Sequence, residues 1–129
     1  MACQTTDNRN FIVENIKKID VMQKEIVTSC ESSCITCETS LITKPYNTVP
    51  VSFTCCNGEL FTALINVGGP STPYFRIESL RDNRFVTLRL LSYDSTQQLL
   101  ECTNYTCIFD LDCCCSLQCF EPINCMCCC

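Results

Sequence analysis

The sequence predicts a mainly β chain, an antiparallel β-sandwich with one N-terminal amphipathic helix and a cysteine-rich C-terminal tail, on three observations. Apolar residues between positions 11 and 28 recur every three or four residues. From Val49 onward the apolar period falls to two, in β-branched and aromatic runs. Those runs are divided by turn-forming stretches, "NG" at 57–58, "GGPSTP" at 68–73 and "RDN" at 81–83. At 129 residues the chain suits one domain with a modest core.

Residues 1–10, "MACQTTDNRN", read as a flexible arm, with Asp7, Asn8 or Asn10 placed to accept hydrogen bonds from the first turn of a helix. The helix is expected over 11–29, where Ile12, Ile16, Ile19, Met22 or Gln23, and Ile26 share a face. That stripe packs on the domain's own sheet or a neighbouring copy's, or else is a partner-binding surface. Residues 30–120 complete a single domain with the helix. "VPVSFTCC", "ELFTALINV", "YFRIESL", "RFVTLRLLSYD" and "YTCIFDLDCCCSLQCF" are its strands. Asn57-Gly58 fits a two-residue type I′ hairpin, because both central residues of that turn need positive φ, and Asp82-Asn83 suggests a second hairpin.

The last run carries the most chemistry. Strict alternation turns Cys107, Phe109, Leu111, Cys113, Cys115, Leu117 and Cys119 inward and Asp110, Asp112, Cys114, Ser116 and Gln118 outward. On that count Cys107, Cys113, Cys115 and Cys119 are expected to be buried or bonded within the chain, Cys102 is a further candidate for the same role, and Cys114 is an exposed thiol. Residues 121–129 form the tail, with four cysteines in its last five positions.

Sixteen cysteines in 129 residues, with no basic leader and no apolar h-region at the start, predict a chain made in the cytosol without a signal peptide and oxidised after the producing cell lyses. No stretch is long and apolar enough to span a membrane. A net charge of −5 argues against a nucleic-acid partner, and the absence of histidine removes the usual general base and zinc nitrogen ligand. No catalysis and no cofactor are therefore expected. Cys30, Cys34 and Cys37 match the spacing of a three-thiolate iron–sulfur site, but the large barrel such enzymes need is absent; with Cys55 or Cys56 the same segment could hold zinc instead. Cys34-x-x-Cys37 also lacks the β-α-β surroundings of a redox enzyme. For the tail "CMCCC" the choices are metal storage, an internal staple or links between molecules. The strand-patterned body argues against storage, and the strain of bonding adjacent cysteines argues against a staple. The residues expected to link molecules are Cys3, Cys30, Cys34, Cys37, Cys114, Cys125, Cys127, Cys128 and Cys129, and a thiolate zinc protein is the alternative.

Three stretches, "SCESSCITC", "YFRIESLRDNRFVTLRLL" and "CTNYTCIFDLDCCCSLQCF", resemble the cysteine-rich spore coat and exosporium proteins of the coat protein Y/Z type from endospore-forming bacilli. The closing run of that family is matched by Asp110, Leu111, Cys113, Cys115 and Cys119, whereas Cys55-Cys56 and the tail after Phe120 are additions to its pattern. The resemblance implies a structural protein, made in the mother-cell cytoplasm and exposed on the spore surface, in the coat crust or exosporium. There it assembles with itself, and with other coat or exosporium proteins, into a hexagonal two-dimensional lattice locked by disulfides.

Overall fold

A computed structural model describes residues 6–31 and 46–125, and within the helix the side chains of residues 9–24. Cys3, Cys34, Cys37, Cys127, Cys128, Cys129 and the side chains of Ile26 and Cys30, all named above, lie outside the described residues.

Helix α1 spans Thr6–Glu31 and starts earlier than the apolar stripe suggested, so Asp7, Asn8 and Asn10 lie inside it rather than capping it. Val13, Ile16 and Ile19 are buried against the sheet, which makes the stripe part of the domain's own core. At the next turn the inward residue is Gln23, 2% exposed, while Met22 is 49% exposed.

The strands are β1 (Val51–Cys55), β2 (Ala63–Leu64), β3 (Ser71–Thr72), β4 (Tyr74–Arg81), β5 (Phe85–Asp94), β6 (Leu99–Asp110) and β7 (Cys114–Cys119), with a 3-10 helix over Leu111–Cys113. The chain is mainly β and antiparallel with one N-terminal helix, as predicted. β6, β5, β4, β1 and β7 pair in that order, and β2 with β3 forms a separate ribbon. β6 and β7 stand at opposite ends of this order yet are joined by only the three residues of the 3-10 helix. The sheet therefore rolls over on itself. Phe53 of β1 meets Phe109 of β6 at 4.9 Å between ring centroids, and Phe61 fills the space beside them, 4.4 Å from Phe109 and 5.3 Å from Phe75. Two layers result: the β4–β5–β6 meander, and the β1–β7 ribbon folded across it together with α1 and the Phe61–Ile65 stretch.

The layers are hinged at one residue pair, Val51 opposite Phe75. Where the next rung of that ladder would run, the amide of Gln23 intervenes: Nε2 donates to the Ile77 carbonyl at 2.7 Å and Oε1 accepts from the Val49 N–H at 3.0 Å. A helix side chain thus satisfies two backbone groups that the splayed strands leave apart.

Of the two predicted hairpins, Asp82 (φ 56°) and Asn83 (φ 52°) form the type I′ turn, closed by the Arg84 N–H donating to the Arg81 carbonyl at 3.0 Å. The turn after β1 differs. The Gly58 N–H donates to the Cys55 carbonyl at 2.9 Å, the Cys55 N–H to Glu59 at 2.8 Å, and the positive φ falls on Gly58 (85°). The turn is centred on Cys56-Asn57, with Gly58 as a left-handed bulge residue, a geometry that suits strand twist as well as type I′.

Candidate functional site

Asp110, Leu111 and Asp112 build the corner from which the cysteine run departs. Asp110 accepts the Asp112 N–H at 3.0 Å and takes the Arg84 guanidinium in a two-pronged contact at 3.0 and 2.9 Å. The Asp112 carboxylate pairs with Arg84 at 3.2 Å and with Arg9 of α1 at 3.0 Å, and the Leu111 side chain is fully buried beneath them. Arg84 holds the Asp110 carboxyl below its ordinary value, chiefly by hydrogen bonding. The corner therefore fixes the start of β7 to both the β4–β5 turn and the helix.

This corner resets the alternation on which the cysteine assignment depended. The 3-10 helix breaks the period of two, and in the β1–β7 ladder Thr54 faces Ser116 while Cys55 faces Cys114, which leaves Cys115 as an extra residue. Cys114, expected to be exposed, is fully buried; Cys113 and Cys115, expected inside, are exposed, as is Cys119. The 3-10 turn exchanges the faces at Cys113 and Cys114, and the extra residue at Cys115 restores them, so Leu117 again packs against the core opposite Phe53. Among the described residues the exposed thiols are thus Cys113, at the end of the 3-10 helix, and Cys115 and Cys119 on β7, whose pairing neighbour is β1.

Burial grades the thiol chemistry. It pushes Cys114 up to about 12 and Cys107 up to about 11, and it raises Cys119. Cys55 is raised by burial first and then by the nearby Cys113, Glu59 and Cys115. Since the thiolate is the form that attacks a disulfide, Cys107 and Cys114 are slow partners at neutral pH. Cys56, at the tip of the β1 turn, is disulfide-bonded, and its N–H donates to the Cys113 carbonyl at 3.0 Å. Among the described residues no group of three or more cysteine or acidic side chains converges on a point where a metal could sit.

On the other face of the meander lies a covalent clamp. Cys125, expected to link molecules, is 4% exposed and bonded to Cys102 of β6, with 5.3 Å between their Cα atoms. Asn47 holds the same residue from both sides. Its Nδ2 donates to the Cys125 carbonyl at 2.8 Å and its Oδ1 accepts the Cys125 N–H at 2.7 Å. Thr48 pairs with Ile123, and the Phe120 ring stands edge-on to Tyr74 at 5.4 Å, so residues 120–125 run as a strap to β6. Below the strap Arg76 Nε donates to Thr48 Oγ1 at 2.8 Å, and Glu78 receives both Arg76 and Arg89. Sequence reasoning missed Asn47, Thr48 and the Arg76–Glu78–Arg89 set. Arg76 and Glu78 stand in the period-two run "YFRIESL" as its polar positions, a sign of a polar face but not of what covers it.

The family described as Spore coat protein Z matches residues 1–107 of this chain, ending before the Cys113–Cys119 run. A curated protein named Spore coat protein Z, from Bacillus subtilis (strain 168), is 28% identical over 143 residues, covering 95% of this chain and 94% of that protein. No solved structure matches the chain.

Proposed function

Since the chain belongs to the spore coat protein Z family and has with it a structural role in the spore coat, we propose that it works by self-assembly on the spore surface, in the crust or exosporium. Copies pack into an ordered two-dimensional lattice, with other coat proteins as further partners, and intermolecular disulfides then lock the packing. The observation that carries this reading is the set of exposed thiols at the β7 end, Cys113 just before the strand and Cys115 and Cys119 on it. The body beneath has its own fastenings in the aromatic core, the Gln23 bridge and the Cys102–Cys125 clamp, so the exposed thiols are available for joining molecules without loss of the fold. Cys3, Cys30, Cys34, Cys37, Cys127, Cys128 and Cys129 remain further links in this reading. Cys114 and Cys125 leave it, the first because it is buried and the second because it is bonded within the chain.

The test compares wild type with Cys113→Ser/Cys115→Ser/Cys119→Ser after oxidation in air. Wild type should run as high-mass species in hot detergent that collapse to monomer with reductant. The triple variant should fold and still form ordered arrays under the electron microscope, yet fall to smaller species in detergent alone. Equal detergent resistance in the variant would remove β7 from the cross-linking surface.

A further inference from the structure

We propose that the groove between α1 and β7 receives the Cys127–Cys129 stretch of a second copy, so that molecules join head to tail. This rests on the disulfide-locked assembly proposed above and names its two halves. The groove is lined by Phe11, Ile12 and Asn15 of the helix and by Cys115, Ser116, Leu117 and Cys119 of the strand, with Phe11 62% exposed. β7 pairs with β1 on one side and ends the sheet order on the other, so its outer edge offers backbone donors and acceptors to an extended segment. The site therefore presents a lining of mixed polar and apolar side chains, a strand edge that pairs with no other strand among the described residues, and two exposed thiols.

The chain's own tail is fastened elsewhere. Cys125 is held at β6 by its disulfide and by Asn47. Residues 119–125 are drawn out along 51–47, with Cys119 opposite Val51 and Ile123 opposite Thr48. At about 3.3 Å per residue this places Cys125 roughly 20 Å from Cys119, and Cys115 about 13 Å farther up the strand. Cys127 to Cys129 follow Cys125 by two to four residues, a reach of about 7 to 14 Å at full extension. Cys115 lies beyond that reach, and Cys119 is approached only if the segment doubles straight back. The thiols of the groove thus find the tail thiols of another molecule before their own.

The tail suits the groove better than a second groove does. Three thiols within three residues give an extended segment cysteines on both of its faces, Cys127 and Cys129 on one and Cys128 on the other, so either face can meet the thiols of β7. Donor and receiver are different surfaces, so the contact is heterologous and propagates into rings or open arrays, whereas groove-to-groove bonding stops at a dimer. In the covalent step one S–S bond forms and two S–H bonds break. The two electrons and two protons pass to dioxygen, which is reduced to hydrogen peroxide.

The test is complementation between two full-length variants of distinguishable mass. Cys115→Ser/Cys119→Ser keeps the tail and loses the receiver; Cys127→Ser/Cys128→Ser/Cys129→Ser does the reverse. Oxidised separately in air, each should lose the reductant-sensitive linkage between β7 and the tail that wild type forms. Mixed, they should regain it as a heterodimer whose linked peptides join Cys115 or Cys119 of one variant to Cys127–Cys129 of the other. Peptide mapping of the wild-type assembly should show the same pairing and needs no variant to fold. If the mixture yields no such linked peptides, or if Cys115 and Cys119 map only to Cys119, Cys3, Cys30, Cys34 or Cys37, head-to-tail joining is wrong while disulfide assembly stands. If wild type forms no reductant-sensitive species at all, both fail.

Discussion

Cys114 and Cys115 are adjacent in the chain and opposite in character, one fully buried and one exposed. Native protein treated with iodoacetamide near pH 8 should therefore be labelled first at Cys113 and Cys115 and last at Cys107 and Cys114, read by mass spectrometry over time. Fast labelling of Cys114 would contradict its burial. The same two buried thiols set an alkaline limit. Folding raises Cys107 to about 11 and Cys114 to about 12, from 9.0, so the native state holds these protons more tightly than the unfolded chain does. The stability they contribute is intact below about pH 9 and is lost as pH climbs through the folded values. Denaturant midpoints of the reduced protein should fall above pH 9, and Cys107→Ala/Cys114→Ala should blunt that fall. At Cys125, replacement by Ser opens a disulfide that spans 23 residues and should cost the oxidised protein about 3 kcal/mol of stability in the chain-entropy account. A silent Cys125→Ser would mean that the bond to Cys102 does not form.

At the scale of elements, α1 is held by a narrow set of contacts. Ile16 is fully buried, and its replacement by Ala should cost about 2–5 kcal/mol. Gln23→Ala takes a partner from both the Ile77 carbonyl and the Val49 N–H, and should cost about 2 kcal/mol or more by chemical denaturation. Gln23→Met, similar in length but unable to bond, should do no better if the amide rather than its bulk is what matters. These elements also show what was legible in advance. The helix was written in the spacing of Ile12, Ile16 and Ile19, and the Asp82-Asn83 hairpin in residues that tolerate positive φ, because both depend on neighbours a few positions away. The facing of the cysteines was not. A period of two places side chains correctly only until one residue is inserted, and the 3-10 turn at Leu111–Cys113 with the extra residue at Cys115 does that inside a run of three identical letters. Nor was the partner of Cys125, which is chosen by Asn47 and by a strap crossing the meander, contacts separated by 78 residues in sequence. Gln23 was half legible: the stripe allowed it as an alternative to Met22, but the splayed ladder it bridges exists only after the ribbon has folded over.

For the molecule as a whole, the fastenings that make the body, the Cys102–Cys125 clamp among them, are separate from the exposed thiols Cys113, Cys115 and Cys119 proposed to join bodies. The body is acidic, with a net charge of −5, so copies repel one another at low salt. Assembly before oxidation should accelerate as ionic strength rises, followed by light scattering; indifference to salt would leave packing without the electrostatic barrier expected here. Protein matured in air should carry far less than one zinc per chain, because thiols committed to disulfides cannot ligate metal. The central claim is tested most directly by oxidising an equal mixture of isotopically light and heavy protein and sorting its disulfide-linked peptides by isotope. The Cys102–Cys125 pair should be found only as light–light and heavy–heavy, while pairs containing Cys113, Cys115 or Cys119 should include light–heavy forms at the statistical frequency. Light–heavy Cys102–Cys125 pairs, or β7 cysteines bonded only within their own chain, would contradict the division between body and joint.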